Sequence, residues 1–488
     1  MTDQADVAEE APDPQRWRIL WVLLVAIFMS LVGVSIVNVA LPSIQHGLDA
    51  SDSDVQWVLA GYALTFGVVL VAAGRAGDLM GRGGFFILGV IVFTLSSVAA
   101  GLAPGPDALN AARFVQGVGS GLLNPQGVGM IQQYFRRAER GRAFGAFGSV
   151  VGVAVGIGPV IGGLLIELGG PDLGWRLTFL VNVPVGVLCL VLALLWFPRP
   201  LLHRARPGDV TTAGRRAARS LDPVGSILLG LAVLATMFPF VEAGASPWLW
   251  LCLPAGLVLV WVWVRWERHY RASGRSPMVD LDIFSIRSFT NGSIIVMLYF
   301  LGMTSIWVLV ALYLQEGTGK SAMQAGMVGV PSALISAVAA HWAGRRVIRY
   351  GRKVVIGGLG FALVGLLLSI VVVVLQAGGH VSEWWLVGSL ALIGVAQGSV
   401  ISPNQTLTLA EVPLTYAGSS GAVMQTGQRI GTSVGIAVIT SAVFGTLAVS
   451  NWSVATGVGF GLVGFVVMIA LAFALKDQRD RVRVGSAR

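Results

Sequence analysis

The stretch Gly145–Gly163 decides the fold of this chain, and it reads GAFGSVVGVAVGIGPVIGG. The stretch is apolar, and three of its glycines recur every four residues, at Gly148, Gly152 and Gly156. Because residues four apart share one face of a helix, this spacing predicts a membrane helix that a neighbouring helix can approach closely. Pro159 has no backbone N–H, so we expect a bend near Gly158. The glycines alone favour ordinary helix packing over a specialised role.

The composition is typical of a chain that crosses a membrane many times. Of 488 residues, 55% are hydrophobic and only 12% are charged, whereas soluble proteins carry about 25% charged residues. Apolar runs long enough to cross about 30 Å of hydrocarbon recur along the chain. The runs are continuous rather than alternating, which favours helices over a β-barrel. The fourteen predicted spans are residues 17–41, 55–75, 85–102, 107–131, 143–168, 178–197, 223–241, 248–266, 289–312, 322–344, 354–375, 384–407, 419–444 and 454–475.

The basic residues indicate the orientation of these spans. With the N-terminus in the cytoplasm, all but four of the 33 Lys and Arg fall on the cytoplasmic side, the exceptions being Arg113, Arg176, Lys320 and Arg429. This asymmetry predicts a multi-pass protein of the plasma membrane with both termini cytoplasmic. It also assigns the net charge of +9 to topology and anionic headgroups, so we expect no nucleic-acid partner.

The predicted spans divide into six, two and six. The expected domains are a cytoplasmic N-terminal tail (1–16), a six-helix bundle (17–198), a cytoplasmic linker (199–222), two additional helices (223–266), a cytoplasmic loop (267–288), a second six-helix bundle (289–475) and a cytoplasmic tail (476–488). The N-terminal tail is acidic and lacks a basic n-region, so the first span is expected to be retained rather than cleaved.

The loop after the second predicted span reads GRAGDLMGRG over Gly74–Gly83. Its glycines allow a tight turn, and Asp78 lies among arginines at the membrane edge. A simple capped turn would also explain this composition. In the second half, Gly344–Lys353 repeats this spacing of glycines and arginines. Ile348 stands at the position that matches Asp78. Such an internal sequence repeat is expected of two related six-helix halves.

Two arginines, Arg113 and Arg429, lie deep within predicted spans. A charge at that depth costs at least about 2.5 kcal/mol, so Arg113 is expected to face the bundle interior with a partner. A buried arginine bonded to backbone carbonyls is the alternative. Arg429, in the thirteenth span, could attract an anionic or polar group of a substrate, or it could brace its helix against a neighbour. The sequence leaves both roles open.

Together these patterns resemble the fourteen-helix drug:proton antiporter branch of the major facilitator superfamily, the multidrug efflux type. The similar residues are Gly74, Gly77, Asp78, Gly81 and Arg82 (motif A, gating); Arg113, Gln116 and Gly117 (motif B, proton and substrate); and Gly148, Gly152, Gly156, Gly158, Pro159, Gly162 and Gly163 (motif C). The resemblance implies an all-α integral membrane protein with the major facilitator fold, in which two six-helix bundles are joined by two extra helices.

The same resemblance implies function. It indicates a secondary active transporter that exports amphipathic drugs or metabolites by alternating access, with protons as the coupling ion and antibiotic resistance as a consequence. In related exporters the motif C helix packs on the opposite bundle, which here would be helix 10. The branch usually carries an aspartate in helix 1 where this chain has Gly33. An alternative therefore stays open, a carrier of lipids or apolar metabolites without tight proton coupling.

Candidate cavity residues and expected partners complete the sequence-based hypothesis. The possible substrate cavity comprises Asn38, Tyr62, Tyr299, Gln425 and Arg429. The chain has no Walker A loop and no HExxH pattern, and its histidines and cysteines lack metal-ligand spacing. We therefore expect no enzyme activity, catalytic residue, metal or cofactor. The expected partners are a small amphipathic substrate, protons and the lipid bilayer, with the protein working as a monomer.

Overall fold

The computed structural model of the chain describes residues 14–202, 222–241 and 246–486, and these residues contain helices and no strand. Along them run α1 (Arg16–Leu48), α2 (Asp52–Met80), α3 (Arg82–Gly101), α4 (Pro106–Tyr134), α5 (Glu139–Gly170), α6 (Asp172–Trp196), α7 (Pro223–Val241), α8 (Cys252–Ala272), α9 (Arg287–Gly317), α10 (Ala322–Tyr350), α11 (Arg352–Ala377), α12 (Leu386–Thr408), α13 (Ala417–Leu447) and α14 (Trp452–Ser486). Thirteen of these are long and apolar enough to cross a membrane, and the exception is α4. It is as long as the others, but it carries the polar side chains of Arg113, Gln116 and Gln126.

The boundary between α5 and α6 is a glycine. Helical hydrogen bonding continues from Arg137 to Leu180, and the non-helical residue within that run is Gly170, with φ 68° and ψ −171°. A positive φ of this size suits glycine, which has no Cβ. The residues around Pro159 keep helical dihedral angles, so the helix is broken at Gly170 and not at Pro159. The bend expected near Gly158 stays a prediction.

The helices pack as two six-helix bundles with an additional pair. In the first bundle α1 packs on α5, and both α2 and α3 pack on α4. In the second, α10 and α11 pack on α12, and α9 and α14 pack together. The bundles meet along α5 against α10 and along α2 against α13, while α7 lies beside α2 and α13. The predicted fold class, two six-helix bundles plus two further helices, is confirmed.

Both described ends of the chain lie at one end of the bundles. There Arg16 pairs with Glu139 at 3.0 Å, and Arg352 pairs with Asp477 at 2.7 Å. We call this the basic end, and it carries the loops α2–α3, α4–α5 and α10–α11. Helix α14 continues past the predicted span to Ser486, so most of the predicted C-terminal tail is helical. The predicted N-terminal tail up to residue 13 and linker residues 203–221 lie outside the described residues.

Candidate functional site

A carboxylate joins the two bundles at the basic end. Asp78 Oδ1 accepts hydrogen bonds from Arg82 Nε at 3.0 Å and Nη2 at 2.8 Å, and from the Gly418 backbone N–H at 2.8 Å. Its Oδ2 accepts from the Ser419 backbone N–H at 2.9 Å. The Asp78 side chain is only 1% exposed. We call the set formed by Asp78, Arg82, Gly418 and Ser419 the latch.

The latch works as a helix cap supplied by the opposite bundle. Gly418 and Ser419 lie in the first turn of α13, where backbone N–H groups have no partner within the helix and the helix dipole favours a negative charge. Arg82 holds the carboxylate in place and also donates to the Leu414 carbonyl oxygen at 2.8 Å. Side-chain caps of this kind stabilise a helix by about 0.5–2 kcal/mol. The latch therefore favours closure of the bundles at the basic end.

The predicted motif A glycines let the chain approach its neighbours at this end. A Cβ at Gly74 would lie 2.7 Å from the carbonyl oxygen of Gly418, and a Cβ at Gly77 would overlap the Gln126 side chain. Gly81 has φ 115°, which disfavours any other residue. Next to the latch lies a cavity of about 380 Å³. It is lined by residues between 77 and 83, by α4 and by residues between 197 and 201. None of the predicted cavity residues lines it.

Helix α5 packs on α10 along its small residues. Gly145, Gly148, Gly152 and Gly156 face Ala333, Ala337, Ala340 and Gly344. A Cβ at Gly152 would lie 3.0 Å from both the Ala333 carbonyl oxygen and the Ala337 nitrogen. Ser149 Oγ donates to the Ala337 carbonyl oxygen at 2.6 Å across the same contact. The structure thus places α5 on the predicted partner, and the two backbones come close.

The C-terminal half of predicted motif C faces elsewhere. A Cβ at Gly158 would meet Ser35, and one at Gly162 would lie 2.9 Å from Ile36 Cγ1, both in α1. A Cβ at Gly163 would meet open space, with Met323 Cε at 4.0 Å as its nearest neighbour. The motif therefore serves two contacts, one between the bundles and one within the first bundle.

Arg113 is buried inside the first bundle, 1% exposed. Its Nε donates to the Val58 carbonyl oxygen at 2.7 Å, and its Nη1 donates to Gln116 Oε1 at 2.5 Å. Gln116 in turn donates to Ser97 Oγ at 2.7 Å. Nη2 of Arg113 has no hydrogen-bond partner among the described residues. Two of the predicted motif B residues, Arg113 and Gln116, are thus hydrogen-bonded to each other, and Nη2 is the guanidinium donor of Arg113 that lacks an acceptor there. Gly117 lets α4 approach α2, since a Cβ there would overlap Thr65.

Tyr62 lies beside Arg113. The guanidinium carbon of Arg113 is 4.4 Å from the centre of the Tyr62 ring. The Tyr62 hydroxyl is 2.7 Å from Ser120 Oγ and 3.4 Å from Ser30 Oγ. These contacts collect a cation, a phenol and two hydroxyls from α1, α2 and α4 in one place.

Arg429 reaches the first bundle from α13. Its guanidinium carbon lies 4.3 Å from the centre of the Phe66 ring in α2, and that ring lies 5.9 Å from the Tyr62 ring. Arg429 is partly exposed and makes no hydrogen bond or ion pair with any described residue. Gln425, one turn earlier on α13, is also partly exposed.

The remaining predicted cavity residues lie apart from this group. Asn38 is exposed on α1. Tyr299 is 2% exposed within the apolar core of the second bundle, and its hydroxyl has no hydrogen-bond partner among the described residues. Its ring packs inside one bundle, so the structure does not place it with Tyr62 and Arg429.

The position of the missing helix 1 acid is also defined. A Cβ at Gly33 would lie 3.1 Å from the Phe93 ring and 3.5 Å from Asn182 Oδ1. No carboxylate is among these neighbours. The most buried carboxylates in the described part of the chain, those of Asp78, Asp222, Glu267 and Asp477, lie at the basic end.

Sequence reasoning missed a buried network in the second bundle. Arg352, the counterpart of Arg82, is 1% exposed and donates to Asp477 Oδ2 at 2.7 Å and to Asn404 Oδ1. Asp477 also accepts from Asn291 Nδ2 at 2.8 Å. Asp477 follows the last apolar run, which is why it was assigned to a tail. The signal was Arg352 itself, because a repeated arginine without its loop acid needs another partner.

The loop between α8 and α9 contacts the residue just before α13, which was also not anticipated. Tyr416, the residue before α13, donates its hydroxyl hydrogen to Asp280 Oδ2 at 2.9 Å. Asp280 also pairs with Arg271 at the end of α8, at 3.0 Å. The additional helices are thereby connected to the start of the helix that Asp78 caps.

Comparison with known proteins adds an independent observation. The sequence profile of the Major Facilitator Superfamily matches residues 23–436 and 292–487. The chain is 34% identical over 441 residues to the "Probable actinorhodin transporter" of Streptomyces coelicolor, covering 89% of this chain and 74% of that protein. It is 31% identical over 473 residues to the "Puromycin resistance protein pur8" of Streptomyces alboniger, covering 95% and 90%.

The fold has solved counterparts. The crystal structure of the human organic anion transporter MFSD10 (TETRAN) superposes with a TM-score of 0.65 at 14% identity, covering 95% of this chain and 100% of that chain. At this identity the likeness bears on the fold alone.

Proposed function

Because the chain belongs to the Major Facilitator Superfamily, we propose that it exports small amphipathic drugs or metabolites across the plasma membrane by alternating access. Secondary transport, rather than enzyme catalysis, is the class of activity that family membership gives. The relatives named for actinorhodin and puromycin support amphipathic compounds as the cargo. Resistance to such compounds would follow from export.

The observation that carries this proposal is the contact between the bundles. At the α5–α10 contact small residues bring two helices together, and the latch caps α13 from the other bundle. Because glycines and alanines line the α5–α10 contact, one bundle can rock against the other without separating large side chains along this line. With the basic end as the cytoplasmic end, the arrangement is the state closed to the cytoplasm, and breaking the latch opens the way for cargo.

Protons are the coupling ion that resemblance to the drug:proton branch implies, with the transporter working as a monomer. A second candidate is export that does not depend on a proton gradient. It is favoured by Gly33, whose surroundings are the Phe93 ring and the Asn182 amide rather than a carboxylate. Arg113 remains the proposed motif B residue in either case.

Everted membrane vesicles from expressing cells test the proposal. We expect protein-dependent uptake of at least one compound from a broad panel of amphipathic dyes, with proton release if transport is proton-coupled. Uptake that persists after the proton gradient is collapsed supports the second candidate. If well-inserted protein transports nothing in the panel, the proposal of export is contradicted.

A further inference from the structure

Two guanidinium groups lie near Tyr62 and Phe66 without a carboxylate. Arg113 is buried and keeps Nη2 free of any hydrogen bond to the described residues. Arg429 makes neither a hydrogen bond nor an ion pair with the part of the chain that the structure describes. An arginine at this depth is costly and is expected to have a partner. Two such arginines, one inside the first bundle and one reaching that bundle from α13, leave positive charge beside these rings without a carboxylate partner.

The two cations share one face of α2. Arg113 lies 4.4 Å from the Tyr62 ring, and Arg429 lies 4.3 Å from the Phe66 ring. Tyr62 and Phe66 are one turn apart, with ring centres separated by 5.9 Å. Aromatic rings between two guanidiniums offer apolar contact beside positive charge. That combination suits a flat amphipathic molecule that carries a negative group.

We propose that this site binds the anionic group of the transported compound, so that the substrates are anionic amphipaths such as carboxylates, phenolates or sulfonates. The inference rests on the proposed function as an exporter. Arg429, which is partly exposed, contacts the anion directly, and the buried Arg113 adds positive charge beside the Tyr62 ring. Carboxylates and related groups are the acceptors that guanidinium geometry fits best.

A purely structural role does not fit Arg429. Arginines that brace this protein each donate to two polar partners, since Arg352 donates to Asp477 and Asn404, and Arg82 donates to Asp78 and Leu414. Arg429 makes only a ring contact. A residue left without polar partners in one state is poised to find them in a ligand.

The negative charge of the proposed substrate determines how the membrane potential acts on its export. Export of an anion moves negative charge out of the cell, which an inside-negative membrane potential favours. Such transport is electrogenic whether or not a proton returns. It therefore needs no carboxylate within the membrane, which agrees with Gly33 in α1.

The test compares fluorescein and rhodamine 123, two xanthene dyes of similar skeleton and opposite charge, in everted vesicles. Valinomycin sets an inside-positive K⁺ diffusion potential for fluorescein and an inside-negative one for rhodamine 123, both without a pH gradient, so that each dye is driven inward. We expect wild-type protein to take up fluorescein in preference to rhodamine 123, and the uptake to stop when the potential is removed. Preference for rhodamine 123 overturns the inference while leaving export intact.

Substitution of the cation gives the second arm. Arg429→Gln should raise the KM for fluorescein by roughly tenfold or more, as expected for losing one hydrogen bond to a charged group, and Arg429→Lys should restore part of the loss. The matched control is Arg268→Gln, which removes an exposed arginine from α8 and should leave the KM unchanged. Size-exclusion profiles of the purified variants check folding.

The outcomes separate the two claims. An unchanged KM for fluorescein in folded Arg429→Gln overturns the assignment of the anion site. Transport of neither dye, nor of any compound in the wider panel, by inserted wild-type protein overturns the proposed export function and this inference with it.

Discussion

The α2–α3 loop and the α10–α11 loop share the same spacing of glycines and arginines, but they make different contacts. Both turn at a glycine with positive φ, Gly81 at 115° and Gly351 at 55°, and both continue with a buried or largely buried arginine. The first loop carries Asp78, which caps a helix of the opposite bundle. At the matching position the second loop carries Ile348, which is 48% exposed.

The difference lies in where each arginine finds its acid. Arg82 pairs with Asp78 of its own loop, and the pair reaches across to α13. Arg352 pairs with Asp477, which comes from α14 of the same bundle. The helical run that begins at Arg137 and continues into α5, on the other side of the second loop, has no side-chain cap at Arg136 among the described residues. One repeat thus makes a contact between bundles, which the proposed transport cycle would break, and the other makes a contact within a bundle, which that cycle would keep.

Loss of the Arg352–Asp477 contact within the second bundle should lower the stability of the protein more than loss of a contact between the bundles. Arg352→Gln leaves Asp477 buried without its cation, and breaking a buried pair in this way costs about 3–5 kcal/mol. We expect a large fall in thermal stability in detergent, measured by tryptophan fluorescence. Lys353→Gln, which removes the exposed neighbouring cation, is the control and should melt like wild type. Equal melting of the two variants would contradict the assignment of Arg352 as an internal brace.

The α5–α10 contact between the bundles should show the opposite behaviour, with transport lost before the fold. In Gly152→Val the new side chain meets the backbone of Ala333 and Ala337, and overpacking of this kind costs about 1–3 kcal/mol. Because that cost falls on the contact that must re-form in each cycle, dye export should drop by tenfold or more at equal membrane levels.

The matched control for that variant is Gly163→Val. Its nearest neighbour is Met323 Cε at 4.0 Å, so export should stay within twofold of wild type. Similar export by Gly152→Val and Gly163→Val would mean that close approach of α5 to α10 is not needed for transport.

Much of this comparison could be predicted from the sequence. Continuous apolar runs located the spans, and the four-residue glycine spacing identified the face of α5 that packs on α10. Asp78 in its glycine-rich loop marked the position of the latch, and Ile348 marked its absence in the second half. These features are local, because each is set by residues close together in the chain.

The rest depends on contacts between residues that are distant in the chain. Asp477 follows the final apolar run, so its pairing with Arg352 emerges only when α14 packs against α11. The sequence predicts Tyr299 as a residue of the same possible cavity as Tyr62, but which face of α9 points inward is set by packing against α13 and α14. The contact of Asp280 with Tyr416 joins two loops whose separation in sequence gives no hint of their meeting.

The central claim is that Asp78 holds the basic end closed and that its counterpart Ile348 does not. It is tested by the distance between spin labels at Arg136 and Arg349, exposed residues of opposite bundles, with Cys189 and Cys252 replaced by alanine. Asp78→Asn loses the charge-assisted hydrogen bonds of the latch, worth about 1–3 kcal/mol. We predict a new population at longer distance in Asp78→Asn and an unchanged distribution in Ile348→Asn. The same distribution in both variants, with or without a long-distance population, would contradict the account.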